Sequence, residues 1–188
     1  MKILSDTLII LFILMYACTI EACTSSDTQN LSNQDKQLIK ENVVMDTVKN
    51  VLQEFPNFKL VNEKYEIIQS NTLNNKANGL FYVFFFHPDC EDCNAEAKNI
   101  SANFSKFEDA QLLWISIDGH WDKINAFRSK YFKDKKNVVF YAIADLEWQK
   151  YFGELTETPT IFVFKNNNFI EKFVLQVPIE ELTKFQNK

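Results

Sequence analysis

Between residues 80 and 174, unbroken apolar runs alternate with segments whose apolar residues recur every three or four positions. Leu80–Phe86 is apolar throughout, the pattern of a strand covered on both faces. Cys90–Phe107 follows with helical spacing, then a second apolar strand, Leu112–Ile117. Trp121–Tyr131 predicts a helix with Ile124, Phe127 and Tyr131 on one side. Val138–Ala142 is another short strand and Leu146–Phe152 another helix. Thr160–Phe164 and Phe169–Val174 flank Lys165-Asn166-Asn167-Asn168, whose turn residues predict a hairpin. Ile179–Gln186 closes the chain as a helix. Strands alternating with helices, then an antiparallel hairpin and a helix, predict an α/β sandwich around a mixed sheet.

The first 77 residues have a different character. Lys2 precedes the apolar run Leu8–Ala17, which has the length of a signal-peptide core and falls short of the about 20 residues that a membrane span needs. Ala17-Cys18 and Ala22-Cys23 place a small residue before a cysteine, which resembles the bacterial lipoprotein signal. Cys18 stands at the better distance from the apolar run and is the expected lipidation site, with Cys23 the alternative. An ordinary cleaved signal peptide leads to the same side of the membrane, where disulfides persist. Residues 24–34 are polar and predict a flexible tether. Apolar positions from Leu38 to Phe55 recur with a helix period over 35–55, and Pro56 marks the stop. Tyr65–Ile68 predicts a short strand before the Asn-rich turn 71–78.

Composition narrows the function. A formal net charge of −5 gives no footing for nucleic acid. With 3 glycines, no Gly-rich loop is present to cradle a phosphate. The 18 phenylalanines supply a large core and need no cofactor to explain them.

The chemistry is concentrated in His87-Pro88-Asp89-Cys90-Glu91-Asp92-Cys93, where a strand runs into a Cys-x-x-Cys pair that opens a helix. Backbone N–H groups and the positive end of the helix dipole favour a thiolate at the first cysteine. Cys90, at the helix start, is the expected attacking thiol, and Cys93, one turn in, the thiol that resolves the mixed disulfide. A structural disulfide or half of a metal site are the other uses of such a pair. The acids Asp89, Glu91 and Asp92 oppose a thiolate by Coulomb repulsion. A thiolate without strong support makes the dithiol less stable relative to the disulfide, so the expectation is a reductant. His87 is expected to pack against Pro88 at the strand end, and His120 to sit in a loop.

Strand, Cys-x-x-Cys and helix, followed by Thr158-Pro159 entering a hairpin and a last helix, resembles the thioredoxin superfamily over about residues 78–188. The resemblance implies a three-layer sandwich with a mixed central sheet. It also implies a cis peptide before Pro159, with Thr158 and Pro159 shaping the groove that receives a substrate backbone. The extra strand–helix segment near 137–152 is similar to the membrane-anchored, extracytoplasmic TlpA/ResA-like branch. In that branch a glutamate follows the second cysteine by three residues, as Glu96 follows Cys93 here. Positions three apart share a helix face, so Glu96 is expected beneath Cys93, where a buried carboxyl can exchange a proton with the resolving thiol. An ordinary surface glutamate is the other reading. The sequence departs from thioredoxins in carrying Asp89 before the pair, Glu91-Asp92 within it and Phe84 in place of a buried strand Asp.

The chain thus divides into a signal peptide (1–23), a tether (24–34), an N-terminal helix and strand (35–77) and a thioredoxin-like domain (78–188). The expected activity is thiol–disulfide exchange with protein disulfides in the bacterial cell envelope (periplasm), without cofactor or metal. A membrane redox partner would recycle the cysteine pair, and a lipid anchor would hold the protein at the membrane. The alternative is a Cu(I) metallochaperone of the same fold, with Cys90, Cys93 and His120 as soft ligands. A peroxidase of this fold carries Thr three residues before its reactive cysteine and Pro earlier still, where this chain has His87 and Val83.

Overall fold

The run Leu80–Phe86 forms a strand whose seven residues are all buried, with a hydrophobic cluster on each of its two faces. The computed structural model describes residues 52–73 and 79–186, so the expectations for residues 1–51, including Cys18 and Cys23, and for the turn at 74–78 fall outside it. In chain order the elements are β1 (Lys59–Val61), β2 (Ile67–Gln69), β3 (Leu80–Phe86), α1 (Glu91–Ala102), β4 (Gln111–Ser116), α2 (Trp121–Tyr131), β5 (Val138–Ile143), α3 (Gln149–Phe152), β6 (Thr160–Lys165), β7 (Asn168–Val174) and α4 (Ile179–Thr183). They build one mixed sheet in the order β2-β1-β5-β4-β3-β6-β7. β3, β4 and β5 are mutually parallel, and the outer pairings are antiparallel.

Side chains alternate across a strand, and β3 feeds two cores in this way. Leu80, Tyr82, Phe84 and Phe86 join Ala97 and Ile100 of α1, Ile124 and Phe127 of α2 and Leu182 of α4. Phe81, Val83 and Phe85 join Leu52, Phe55, Phe58, Trp148 and Phe152 on the other face. The result is the expected three-layer α/β sandwich, with the strand–helix insertion contributing β5 and α3. Phe84, at the position where thioredoxins carry a buried Asp, stacks on Trp114 with ring centroids 4.3 Å apart. The Tyr82 hydroxyl donates to the Leu182 carbonyl at 2.6 Å, tying α4 to the sheet, and burial pushes the phenol well above its ordinary range.

Several boundaries differ from the sequence expectation, each for a local reason. Residues 52–55, expected to end a helix, are not helical, and Glu54 forms an isolated bridge with Asn168. Pro56 disfavours helical geometry in the residue before it, and Leu52 and Phe55 instead fill the second core. β1 was not anticipated, and it brings the sheet back to Lys59, ahead of the boundary placed at 78. The helix expected over 90–107 ends at Ala102, because Asn103 adopts ψ 24 and turns its side chain back to the Asn99 carbonyl. A 3-10 turn, Phe104–Phe107, continues the chain. Leu146–Trp148 is likewise a 3-10 turn leading into α3, and α4 stops at Thr183. The β6–β7 hairpin turns on Asn166 and Asn167, with φ of 52° and 70°, a conformation that asparagine tolerates better than most residues.

Candidate active site around Cys90 and Cys93

β3 ends at Phe86, and His87-Pro88-Asp89 swings the chain into α1 with Cys90 as its N-cap. The Cys90 N–H donates to the His87 carbonyl at 3.1 Å, closing that turn. Cys90 adopts the extended cap conformation, φ −71° and ψ 128°, so its sulfur faces the helix and accepts the Cys93 N–H at 3.2 Å. Asn94 braces the turn from below: its amide donates to the carbonyls of Pro88 and Cys90, both at 2.9 Å, and its oxygen accepts the Tyr131 hydroxyl at 2.8 Å. Both cysteines are free thiols, Cys90 partly exposed and Cys93 fully buried.

The structure brings Cys90 together with the predicted Thr158-Pro159 pair. The Thr158–Pro159 peptide is cis, and the Cys90 thiol donates to the Thr158 carbonyl at 3.3 Å. The Leu175 N–H donates to the Pro159 carbonyl at 2.8 Å, so the end of β7 backs this loop. Burial, reinforced by the hydrogen bond to Cys90, pushes the Cys93 thiol up to about 12, although the His87 backbone and the Thr158 side chain favour its thiolate.

Glu96 is buried, 1% exposed, on the Cys93 face of α1. Its Oε2 accepts the Val177 N–H at 3.0 Å, and its Oε1 is buried without a hydrogen-bond partner. Burial raises the carboxyl to about 7, and the Val177 bond limits the rise. The surface reading of Glu96 is therefore set aside.

Two of the three acids flanking the sulfurs are engaged. Asp89 pairs with Lys123, whose hydrogen bond holds the carboxyl below its usual range. Asp92 accepts the Gln176 amide at 2.6 Å, and Glu91 is exposed. His87, expected to pack against Pro88, makes polar contacts through its ring instead. Its Nε2 lies 3.1 Å from Asp118 Oδ2, at ion-pair distance but short of a well-aligned hydrogen bond, and its Nδ1 accepts the Asp89 N–H at 3.2 Å. Sequence reasoning missed Asp118; the only signal was its place just after β4, at the same sheet edge as the cysteines. His120 is an exposed N-cap of α2. Among the described residues no three or more His, Cys, Asp or Glu side chains are grouped to hold a metal ion, so the Cys90, Cys93 and His120 ligand set is not assembled. No helix among the described residues is long and apolar enough to cross a membrane.

The family model described as AhpC/TSA matches residues 51–173. No curated protein matches the chain. Among solved structures, MTB dsbF superposes with a TM-score of 0.54 at 16% identity, covering 68% of this chain and 90% of its own. A SCO1/SenC family lipoprotein from Bacillus anthracis gives 0.54 at 16% identity, over 70% of this chain and 92% of its own. A putative thiol:disulfide interchange protein DsbE from Chlorobium tepidum gives 0.51 at 16% identity, over 70% and 93%. At such identities these likenesses establish the thioredoxin-like fold.

Proposed function

The chain belongs to the AhpC/TSA family, and from that premise we propose that it is a thiol–disulfide oxidoreductase acting as a reductant on protein disulfides in the cell envelope. The observation that carries this reading is Cys90 itself: a partly exposed sulfur at a helix N-cap, holding the Cys93 N–H and lying against the cis Thr158–Pro159 loop. Cys90 attacks a substrate disulfide as the thiolate, forming a mixed disulfide and releasing one substrate thiol. Cys93 then loses its proton and attacks the Cys90 sulfur, closing the Cys90–Cys93 disulfide and releasing the second thiol. Two electrons pass from the dithiol to the substrate. With its thiol raised to about 12, Cys93 stays protonated until resolution and needs a local base. Glu96, raised to about 7 on the same face, has the proton affinity for that role at neutral pH. Thr158 and Pro159 line the substrate groove.

Export follows from the leader in residues 1–23, lipidation at Cys18 (or Cys23) supplies the anchor, and residues 24–34 give the domain reach from the membrane. A membrane redox partner returns Cys90–Cys93 to the dithiol. The test is the equilibrium reduction potential of the full-length protein in detergent, read by alkylation and mass shift on the proteolytic peptide that holds both cysteines. A value near or below about −270 mV, that of thioredoxin, supports a reductant. A value near about −120 mV, that of DsbA, overturns the direction. Absence of any Cys90–Cys93 disulfide overturns the exchange reading and favours Cu(I) binding by the dithiol.

A further inference from the structure

We infer that His87 and Asp118 form a positioning pair that sets the reactivity of Cys90 by fixing the turn between β3 and α1. This rests on the reading of Cys90 as the attacking thiol.

His87 is engaged at both ring nitrogens, by a hydrogen bond at Nδ1 and by a contact at ion-pair distance at Nε2. Nδ1 accepts the Asp89 N–H, so in the neutral ring the hydrogen sits on Nε2, the nitrogen that faces Asp118 Oδ2 at 3.1 Å. Asp118 is itself held. Its Oδ1 accepts the Ser116 hydroxyl at 2.6 Å and the His120 N–H at 3.3 Å, which fixes the carboxylate on the loop after β4. Its Oδ2 is buried without a hydrogen-bond partner, and the imidazole Nε2, 3.1 Å away, is the polar group at ion-pair distance from it. The ring therefore spans two loops at one edge of the sheet, where the Ile117 N–H already donates to the Phe86 carbonyl at 3.1 Å.

The same residue bears on both cysteines through its backbone. The His87 carbonyl accepts the Cys90 N–H at 3.1 Å, and the His87 backbone favours the Cys93 thiolate. Anchoring the imidazole thus fixes the peptide that orients the Cys90 cap. The Cys93 N–H to Cys90 Sγ contact, 3.2 Å, depends on that orientation. It strengthens when the sulfur becomes a thiolate, because a hydrogen bond to a charged acceptor is stronger than one to a neutral acceptor. Releasing the ring loosens the turn and weakens the one backbone donor that the nucleophile has in hand.

The test is the rate of Cys90 alkylation by iodoacetamide in the reduced full-length protein, followed from about pH 5 to about pH 9 and read on the peptide carrying Cys90. His87→Ala is expected to slow alkylation near neutral pH by about tenfold and to move the pH profile upward, the size expected for losing one hydrogen bond to a charged group. Asp118→Ala is expected to do the same. The double variant should be no slower than either single one, because the two side chains act through one contact. His87→Asn keeps an acceptor near Nδ1 for the Asp89 N–H but cannot reach Asp118, whereas His87→Gln reaches Asp118. Partial rescue by Gln beyond Asn supports the pair. An unchanged profile in His87→Ala, or effects of the two alanine variants that multiply, overturns it. If His87→Ala fails to fold, the Gln, Asn and Asp118→Ala profiles decide by the same criteria. Alkylation needs no disulfide exchange, so a wild-type protein that forms no Cys90–Cys93 disulfide would sink the proposed activity while leaving this measurement to stand or fall alone.

Discussion

Replacing Glu96 with Gln separates the cost of burying this carboxyl from its use. Burial lifts the group from 4.5 to about 7 in the folded protein. Between those values the folded state holds a proton that the unfolded chain has released, so stability falls as pH rises through this window. Below about pH 4.5 there is no penalty, and above about pH 7 it is complete. At about 1.4 kcal/mol for each unit, the full penalty is about 3 kcal/mol for a side chain that is 1% exposed. Glutamine keeps an oxygen for the Val177 N–H but cannot ionise. Its buried NH2 adds a cost of its own, but that cost does not vary with pH. Urea unfolding of both proteins in the reduced state, from about pH 4 to about pH 8, should therefore show the difference in stability moving by about 3 kcal/mol in favour of glutamine. The raised Cys93 thiol does not intrude, because its contribution begins only above its ordinary value of 9.0. Parallel stability curves for the two proteins would refute the burial reasoning. Resolution of a trapped Cys90 mixed disulfide should in turn be slower in Glu96→Gln; an unchanged rate removes the proton-transfer role while leaving the stability result intact.

Two further perturbations bear on the scaffold and on the charges around the sulfurs. Ser70→Ala removes a buried hydroxyl that accepts the Phe58 N–H at 2.9 Å and donates to the Pro56 carbonyl at 2.8 Å; the two orphaned backbone groups should cost about 1–3 kcal/mol in urea unfolding. Lys123→Gln frees Asp89 from its cationic partner, so the reduction potential should move to a more negative value at low salt and return towards wild type in about 1 M salt, where the screening length is about 3 Å.

Strongly patterned elements could be read from the chain, as could the short β2, which the Tyr65–Ile68 expectation overlaps, whereas β1 could not. The unbroken apolar run Leu80–Phe86 and the helix-spaced Trp121–Tyr131 carry enough signal to place both of their ends. β1 offers a single buried residue, Leu60, between two half-exposed ones, too few to distinguish alternation from chance. Pro56 was read as the end of a helix, when its restriction on Phe55 favours extended chain. At the site, the pair of cysteines and Thr158-Pro159 were visible because each is a local motif, and the fold brings them together at 3.3 Å. The burial of Glu96 was anticipated from the shared helix face and from the resemblance to the TlpA/ResA-like branch, but its partner, the Val177 N–H, lies 81 residues away. The His87–Asp118 contact joins two loops through the sheet order, and no spacing in the sequence encodes it.

The proposed direction of electron flow, towards the substrate disulfide, has two separate physical causes behind it. The flanking acids oppose a Cys90 thiolate, but Asp89 is matched by Lys123 and Asp92 is tied to Gln176, so less of that repulsion reaches the sulfur than three bare charges would deliver. Burial of Cys93 works the same way by another route. A thiol raised to about 12 gains nothing from ionising at neutral pH, so the dithiol has no second source of stabilisation over the disulfide. Surface charges are screened by salt, while the desolvation of a fully buried sulfur is not. If burial dominates, the potential of the wild-type protein should change little between low salt and about 1 M salt, even though that of Lys123→Gln does. A wild-type potential that climbs steeply with added salt would instead return the acids to the leading role.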